Sequence, residues 1–413
     1  QADRFRLKLE QLGVRSDRSD YQSALAMSNA GNLPSAYAMM LQIAPPTRPG
    51  FPGAHFWIIE KLLDGKLEMP TQQAAELALQ HLAQIRIRVG EADELWFLEG
   101  LAYFRLGDYS LAQQSLERVK AELPPANALL LEIHQQQGNT KLAREIAVTL
   151  HRQIQQLVQE GKELSPDELR WRAAASQVIG DETLAVAAVE EWYRANPTSR
   201  AAKLNRATLQ LQPVDIWLRN PVAQTITDIA SRIKSADAML PSDDLDLIFD
   251  RLNLIAANSQ GNEAVQQLFG QLLSDENFTP PVIAHLGSLA AARGQWMDAE
   301  RLLARATQLD PQLANAWNNL AFVLNIAYPS RRFAALELAD TAIKLDPDRV
   351  DFRQTRGTIL FNLRRWDQAI PDLEIASNGS KDLEFIHQML AESYRQVGNP
   401  VLAETYRAVS DPQ

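Results

Sequence analysis

Four small residues, Gly287, Ala321, Gly357 and Ala391, recur along the chain at spacings of 34, 36 and 34. A second set, Ala299, Ala335, Ala369 and Ala403, recurs at 36, 34 and 34. The two extra residues fall between Ala321 and Ala335, near Tyr328-Pro329-Ser330, where a turn absorbs them. Two independent positions that keep one period constrain the fold strongly. The chain must build one supersecondary unit repeatedly and bury each copy against the next.

Each period reads as helix, turn, helix. The segment VIAHLGSLAAARG (282–294) places apolar residues at three- and four-residue intervals and stops at Gly294. Glycine takes the left-handed conformation that ends helices without a Cβ penalty. The following QWMDAERLLARATQLDP repeats the helical period and stops before Pro311, which cannot continue a helix interior. The small slots have a steric reason. Two antiparallel helices on a short turn approach closely only where one presents Gly or Ala. Leu286, Trp296 and Leu303 are the expected fillers around Gly287 and Ala299. Enlarging a small slot should cost roughly 1–3 kcal/mol by overpacking.

These units resemble the tetratricopeptide repeat family, whose pattern is W-x2-L-G-x2-Y, then A-x3-F, then P. Residues 280–313 offer Ile283, Leu286-Gly287, Ala290, Ala299, Leu303 and Pro311. Residues 314–349 offer Trp317, Leu320-Ala321, Leu324, Ala335, Ala339 and Pro347. Residues 350–383 offer Gly357, Leu360, Ala369 and Leu373, with Arg356 in place of leucine, and the last unit offers Leu390-Ala391, Tyr394 and Ala403. In the N-terminal half, Trp96, Gly100, Tyr103, Ala112, Leu116 and Pro124 match, with Glu99 in place of leucine. Further units show Gly138 and Ala143, then Ala173, Gly180, Ala185 and Pro197, then Gly31 and Ala36, with another over 51–92. The resemblance implies an all-α, TPR-like α-solenoid of antiparallel helix pairs wound as a right-handed superhelix.

Residues 200–246 break the rhythm. Pro213, Asn220-Pro221 and Pro241 punctuate helical pieces that lack a small-slot pair. The expected organisation is an N-terminal array over 1–212, an irregular helical joint over 213–246 and a C-terminal array over 247–413. Residues 222–239 should form an extra helix. The joint reads as an eroded repeat that merely packs, with a hinge as the alternative.

Composition narrows the function. Forty-one basic against 51 acidic residues leave a net charge of −10, which lacks the basic footprint of a nucleic-acid binder. With no cysteine, thiol catalysis, disulfides and thiolate metal sites are excluded. No apolar run approaches the roughly 18 residues of a membrane helix, so membrane insertion by this segment is not expected, although an anchor could precede it. The six histidines form no HExxH pair, and His134 and His285 read as packing or surface residues. No phosphate-binding loop, dinucleotide fingerprint or G-x-S-x-G elbow occurs. Asp243, Asp244, Asp246 and Asp250 lack the glycine and distal glutamate of a calcium loop and read as helix-start residues. The expected catalytic, metal and cofactor sites are therefore none. Two sequons, Asn277-Phe278-Thr279 and Asn378-Gly379-Ser380, matter only in a glycosylating host.

A partner is expected on the first helix of each C-terminal pair, the side the resemblance makes concave. If Trp317, Leu320, Ala321 and Leu324 pack, helical geometry turns Asn315, Asn318, Phe322 and Asn325 to the opposite side, with Asn319 flanking. The next unit adds Gln354, Thr358, Phe361 and Asn362 beside Asp351, and the last adds Gln388, Glu392 and Arg395. Amides both donate and accept, as an extended peptide backbone requires. Chaperone-docking members of the family clamp two carboxylates with Lys, Arg and Asn. Asn319 fits one such slot, but Ala284 and Ser288 stand where a lysine would be, which argues against an acidic tail as ligand. Phe97, Leu101 and Phe104 form a more apolar face in the N-terminal half, with burial by neighbouring units as the alternative.

The chain thus reads as a non-enzymatic scaffold that binds a protein or peptide. The alternatives are a self-assembling structural module and, more remotely, a helical-toroid enzyme, against which the 34-residue period argues. A start at Gln1 instead of Met points to a processed bacterial envelope protein, with a cytoplasmic excerpt as the alternative.

Overall fold

The computed structural model describes residues 15–379 and 383–410. Ser380, the last residue of the second sequon, lies outside the described residues. The chain is an all-α, TPR-like solenoid in which helices pack in consecutive antiparallel pairs. It forms two compact units, one ending at Asn196 and one beginning at Pro197.

The N-terminal unit contains α1 (Arg15–Asn29), α2 (Leu33–Ile43), α3 (Pro52–Leu63), α4 (Thr71–Val89), α5 (Asp93–Leu106) and α6 (Tyr109–Glu117). It continues with α7 (Pro124–Gln136), α8 (Thr140–Gln159), α9 (Pro166–Ile179) and α10 (Glu182–Ala195). Its pairs are α1/α2, α3/α4, α5/α6, α7/α8 and α9/α10. The small slot works here as steric reasoning requires. A Cβ at Gly100 would stand 2.6 Å from Leu116 Cγ, closer than carbon atoms approach. Phe97 and Leu101 are half-buried against the core of α3 and α4, so the apolar face of α5 is largely covered. Glu99, which replaces the pattern's leucine, accepts from Arg86 Nη1 at 2.5 Å and from Ser115 Oγ at 2.8 Å. Arg86 and Arg118 also stand over the Trp96 ring, 4.3 and 4.0 Å from its centroid.

His55 and His81 join α3 to α4 in the deepest part of this unit; both are fully buried. The amide N–H of Gly50 donates to His55 Nε2 at 3.1 Å. That nitrogen must carry a lone pair, so Nδ1 carries the proton and donates to His81 Nδ1 at 2.8 Å. His81 is then protonated at Nε2, which is buried and finds no acceptor. Burial, and secondarily the Arg88 charge, pushes His55 down to about 4, although the Arg48 carbonyl acts the other way. Burial, and secondarily His55, pushes His81 down to about 3.

The C-terminal unit contains α11 (Arg200–Arg219), α12 (Ile226–Asp237), α13 (Asp246–Asn258), α14 (Glu263–Ser274), α15 (Pro280–Ala292) and α16 (Trp296–Leu309). It continues with α17 (Ala314–Ala327), α18 (Arg332–Leu345), α19 (Val350–Asn362), α20 (Trp366–Ser377), α21 (Leu383–Gln396) and α22 (Pro400–Ser410). Residues 200–246, where the rhythm breaks, form a helix pair, with α11 against α13 and α12 against α14. The helix at Pro213 does not end there. It runs through to Arg219, because Leu211, Val214 and Trp217 are buried along one face and offset the one lost backbone bond. The position 212/213 therefore falls inside α11.

In the regular pairs, slot and filler are matched in volume. A Cβ at Gly287 would stand 2.8 Å from Leu303 Cγ, and one at Gly357 would stand 3.0 Å from Leu373. Where the slot holds Ala321, the corresponding filler is Ala339, and both are fully buried. The two extra residues between Ala321 and Ala335 are taken up by the 3-10 turn Pro329–Arg331. Gly294 ends its hairpin turn at φ 73°, as expected. The matching turn between α19 and α20 places Arg364 at φ 60°, the left-handed conformation that side chains disfavour. Arg356, the other charged departure from the pattern, donates to Asp372 at 2.6 and 2.8 Å and to Asp340 at 2.8 Å.

Candidate functional site

The first helices of successive C-terminal pairs, α13, α15, α17, α19 and α21, lie side by side. A helix in that position has neighbours on both flanks and its own second helix behind. On α17 this buries Ala316, Asn318, Leu320, Ala321, Val323, Leu324 and Asn325. One narrow stripe remains, Asn315, Asn319, Phe322 and Ile326, spaced four, three and four residues apart. Phe322 and Ile326 are 45% and 44% exposed.

Polar side chains stitch these helices together. His285 Nε2 on α15 lies 2.9 Å from Asn253 Oδ1 on α13, and Phe249 stacks on the same ring at 4.4 Å. Burial holds His285 below its ordinary range. Asn319 Nδ2 donates to Ser288 Oγ at 2.8 Å, and Ser288 donates onward to the Ala284 carbonyl at 2.8 Å. Asn318 Nδ2 donates to Asn319 Oδ1 at 3.2 Å. Asn362 Nδ2 donates to Asn325 Oδ1 at 3.1 Å, joining α19 to α17. Arg332 bridges the ends of the same two helices, reaching the carbonyls of Asn325 and Asn362. The row is an amide ladder, and one of its rungs is incomplete: Asn318 Oδ1 is buried and has no donor.

No family model matches the sequence, and no curated protein matches it. Among solved structures, a mutant form of MamA is similar at 21% identity over 40% of this chain and 96% of its own, with a TM-score of 0.32. A Pseudomonas aeruginosa pilF structure is similar at 14% identity over 58% of this chain and 88% of its own, with a TM-score of 0.30. Likeness at this level carries no argument about function. The solenoid rests on the packing of the chain itself.

Several expected groove residues sit differently from their helical-wheel positions. Asn318 and Asn325 are buried, because neighbouring first helices cover the flanks that a single-helix projection leaves open. Phe361 turns into its own hairpin and meets the Trp366 ring edge-on at 5.0 Å. Gln354 and Thr358 are half-buried, and the Thr358 hydroxyl donates to the Gln354 carbonyl at 2.8 Å. On α21, Glu392 accepts from Arg395 at 2.9 and 2.8 Å and from Gln396 at 2.8 Å, so those charges satisfy one another. Arg395, and secondarily Gln396, holds the Glu392 carboxyl below its ordinary range. Gln388 is exposed and donates to Glu384 at 3.3 Å. The face therefore centres on Asn319, Phe322 and Ile326, with Ser288, His285 and Asn253 beside them. The sequence alone did not point to Ile326 or Asn253. The signal that finds them is the exposed stripe of a helix flanked on both sides.

The face offers amides, a hydroxyl and two apolar side chains. Among the described residues, no three His, Asp or Glu side chains come together in a way that holds a metal ion. No described helix is long and apolar enough to cross a membrane.

Proposed function

We propose that the chain is a non-catalytic scaffold whose C-terminal unit holds a segment of a partner protein along the first-helix face. The observation that carries this reading is the exposed stripe of Asn315, Asn319, Phe322 and Ile326 on α17, where two apolar side chains stand beside amides that can donate and accept. Exposed aromatic and branched side chains on an otherwise polar face fit apolar side chains of a ligand. The amides fit the donors and acceptors of its backbone. The ligand is a largely uncharged segment, since the charged pair at the α21 end is already satisfied internally. This reading does not depend on the compartment in which the chain works.

A photoreactive residue at position 322 tests it in the native host. Cross-linking to a partner at 322, with none from position 297 on the second-helix side, supports the reading. Equal cross-linking from both positions moves the interface elsewhere.

One observation favours a second reading, self-association. Met297, Phe333 and Val401 lie near the starts of second helices and are 82%, 61% and 74% exposed. A concentration-dependent mass in light scattering, abolished by Met297→Ser with Phe333→Ser, would select it.

A further inference from the structure

The turn between α7 and α8, with the end of α9 beside it, shapes a crevice of about 620 Å³ lined by His134, Gly138, Thr140, Lys141, Arg144 and Val178. No carboxylate lines it. Lys141 and Arg144 are exposed, and neither has an acidic partner among the described residues.

Two features leave hydrogen-bond donors free here. The first is the start of α8. Asn139 stands at its N-cap, yet its side chain caps nothing. Asp108 and Asp181, at the same place before α6 and α10, accept from the Leu111 and Leu184 amides at 3.1 and 3.0 Å. The corresponding amide of Leu142, and that of Lys141 before it, are left without an acceptor. The second is His134, which is only 7% exposed. Asn139 Nδ2 donates to His134 Nδ1 at 3.4 Å and to Gln137 Oε1 at 3.0 Å, and Gln137 Oε1 also accepts from Gln113 of α6 at 3.1 Å. With Nδ1 accepting, Nε2 carries the proton. The two ring nitrogens point in nearly opposite directions, so Nε2 faces away from the α6 flank and toward the crevice. It has no acceptor, and it is not sealed off as the unpaired atoms of the core are. A donor on a nearly buried ring, open to a crevice and without a partner, calls for a ligand that accepts.

The polar groups that meet here are donors, and two of them are charged: the free amides and positive dipole end of α8, the Thr140 hydroxyl, Lys141, Arg144 and His134 Nε2. They stand on more sides than the two coplanar oxygens of a carboxylate can serve, whereas a tetrahedral oxyanion serves them all. We propose that this crevice binds a phosphate group. The anion lies over the first turn of α8, with Lys141 and Arg144 flanking it and His134 Nε2 donating from the floor. The site belongs to the N-terminal unit and stands or falls independently of the C-terminal face.

The test follows the Lys141 and Leu142 amide signals and the His134 Nε2 signal of the full chain as sodium phosphate or sodium acetate is added at constant ionic strength. Saturable shifts of all three are expected with phosphate, and about tenfold weaker binding with acetate. Nα-acetyl-phosphoserine amide is titrated in the same way, and whichever of it and inorganic phosphate binds tighter tells a phosphate carried on a side chain from a free one. Asn139→Asp is the decisive variant. It caps α8 as Asp108 and Asp181 cap their helices, so the chain should melt no lower, yet its carboxylate takes the Leu142 amide and repels the anion. Phosphate affinity is expected to fall at least about tenfold in this variant, and likewise in Lys141→Gln/Arg144→Gln. Absence of saturation with phosphate overturns the proposal, as do equal binding of acetate, a His134 Nε2 signal that does not move, or an Asn139→Asp variant that binds phosphate as tightly as the wild type.

Discussion

The regular pairs α15/α16 to α19/α20 and the irregular pair α11/α12 belong to one unit and are all built on buried apolar faces, but they differ in the contacts that set their spacing. In the regular pairs a glycine or alanine admits a facing side chain, and the volumes match: Gly287 with Leu303, Gly357 with Leu373, Ala321 with Ala339. The irregular pair has no glycine slot; its helices share a buried apolar core, and charged clasps tie them to the elements that follow. Arg251 grips Asp215 at 3.0 and 2.8 Å, and Lys234 meets Asp275 at 2.7 Å. Arg200 grips Asp244 at 2.8 and 2.7 Å. Buried Asp237 accepts from the amide and hydroxyl of Thr279 at 2.6 and 2.5 Å. Steric slots must recur in register because helix geometry recurs. Clasps need only two side chains that meet in space, so they leave no period behind.

The two kinds of attachment should fail under different stresses. The largest contrast is with pH. His55 and His81, a polar attachment in the N-terminal unit, have folded values of about 4 and about 3, below the unfolded value of about 6.5. Folding favours the neutral rings. Their stabilisation is therefore complete above pH 6.5 and is lost as pH falls through about 4 and about 3, at up to about 1.4 kcal/mol per ring per pH unit. Hydrogen exchange at pH 4.5 should show α3 and α4 opening before α15–α18, which contain no such pair. Opening in the reverse order breaks the contrast.

The next effect is steric. Ala339→Leu should destabilise by about 3 kcal/mol, because Ala321 keeps a Cβ where the Leu-filled slots hold glycine. Adding Ala321→Gly should recover about half of that loss in denaturant unfolding, despite the cost of glycine in a helix. Additive losses would show that slot and filler do not meet as described. Asp237→Ala should cost about 2 kcal/mol by leaving the Thr279 donors without an acceptor, and should loosen α12 and α15 while the regular pairs keep their protection. The smallest effect has the opposite sign. Arg364→Gly should stabilise by about 1 kcal/mol, since glycine takes the left-handed turn without strain. A lower melting temperature for this variant would mean that the Arg364 side chain makes a contact worth more than its strain.

The contrast also explains what was legible in the sequence. Gly287, Ala299 and their repeats revealed the helix pairs because each is dictated by close approach within one hairpin. The two-residue excess near Tyr328 was legible for the same reason. Which side chains the proposed partner face exposes was only half legible. Phe322 and Asn319 follow from one helical wheel, whereas the burial of Asn318 and Asn325 depends on helices about 35 residues away on either side. Glu99 and Arg356 looked like departures from a pattern. Their reason lies in Arg86, Ser115, Asp372 and Asp340, which no local spacing announces. The His55–His81 contact joins residues 26 apart on facing helices, so it too has no motif. Pro213 misled in the other direction, because a buried face outweighs one missing backbone bond.

The most direct test of the partner face is a display selection of short peptides on the full chain, followed by affinity measurement against Asn319→Ala/Phe322→Ala/Ile326→Ser. These side chains are exposed or half-buried, so circular dichroism should confirm unchanged helicity. The expected result is a set of largely uncharged peptides with spaced apolar residues whose affinity falls at least about tenfold in the triple variant. Peptides that bind the variant as tightly as the wild type would contradict the assignment of this face as the partner site.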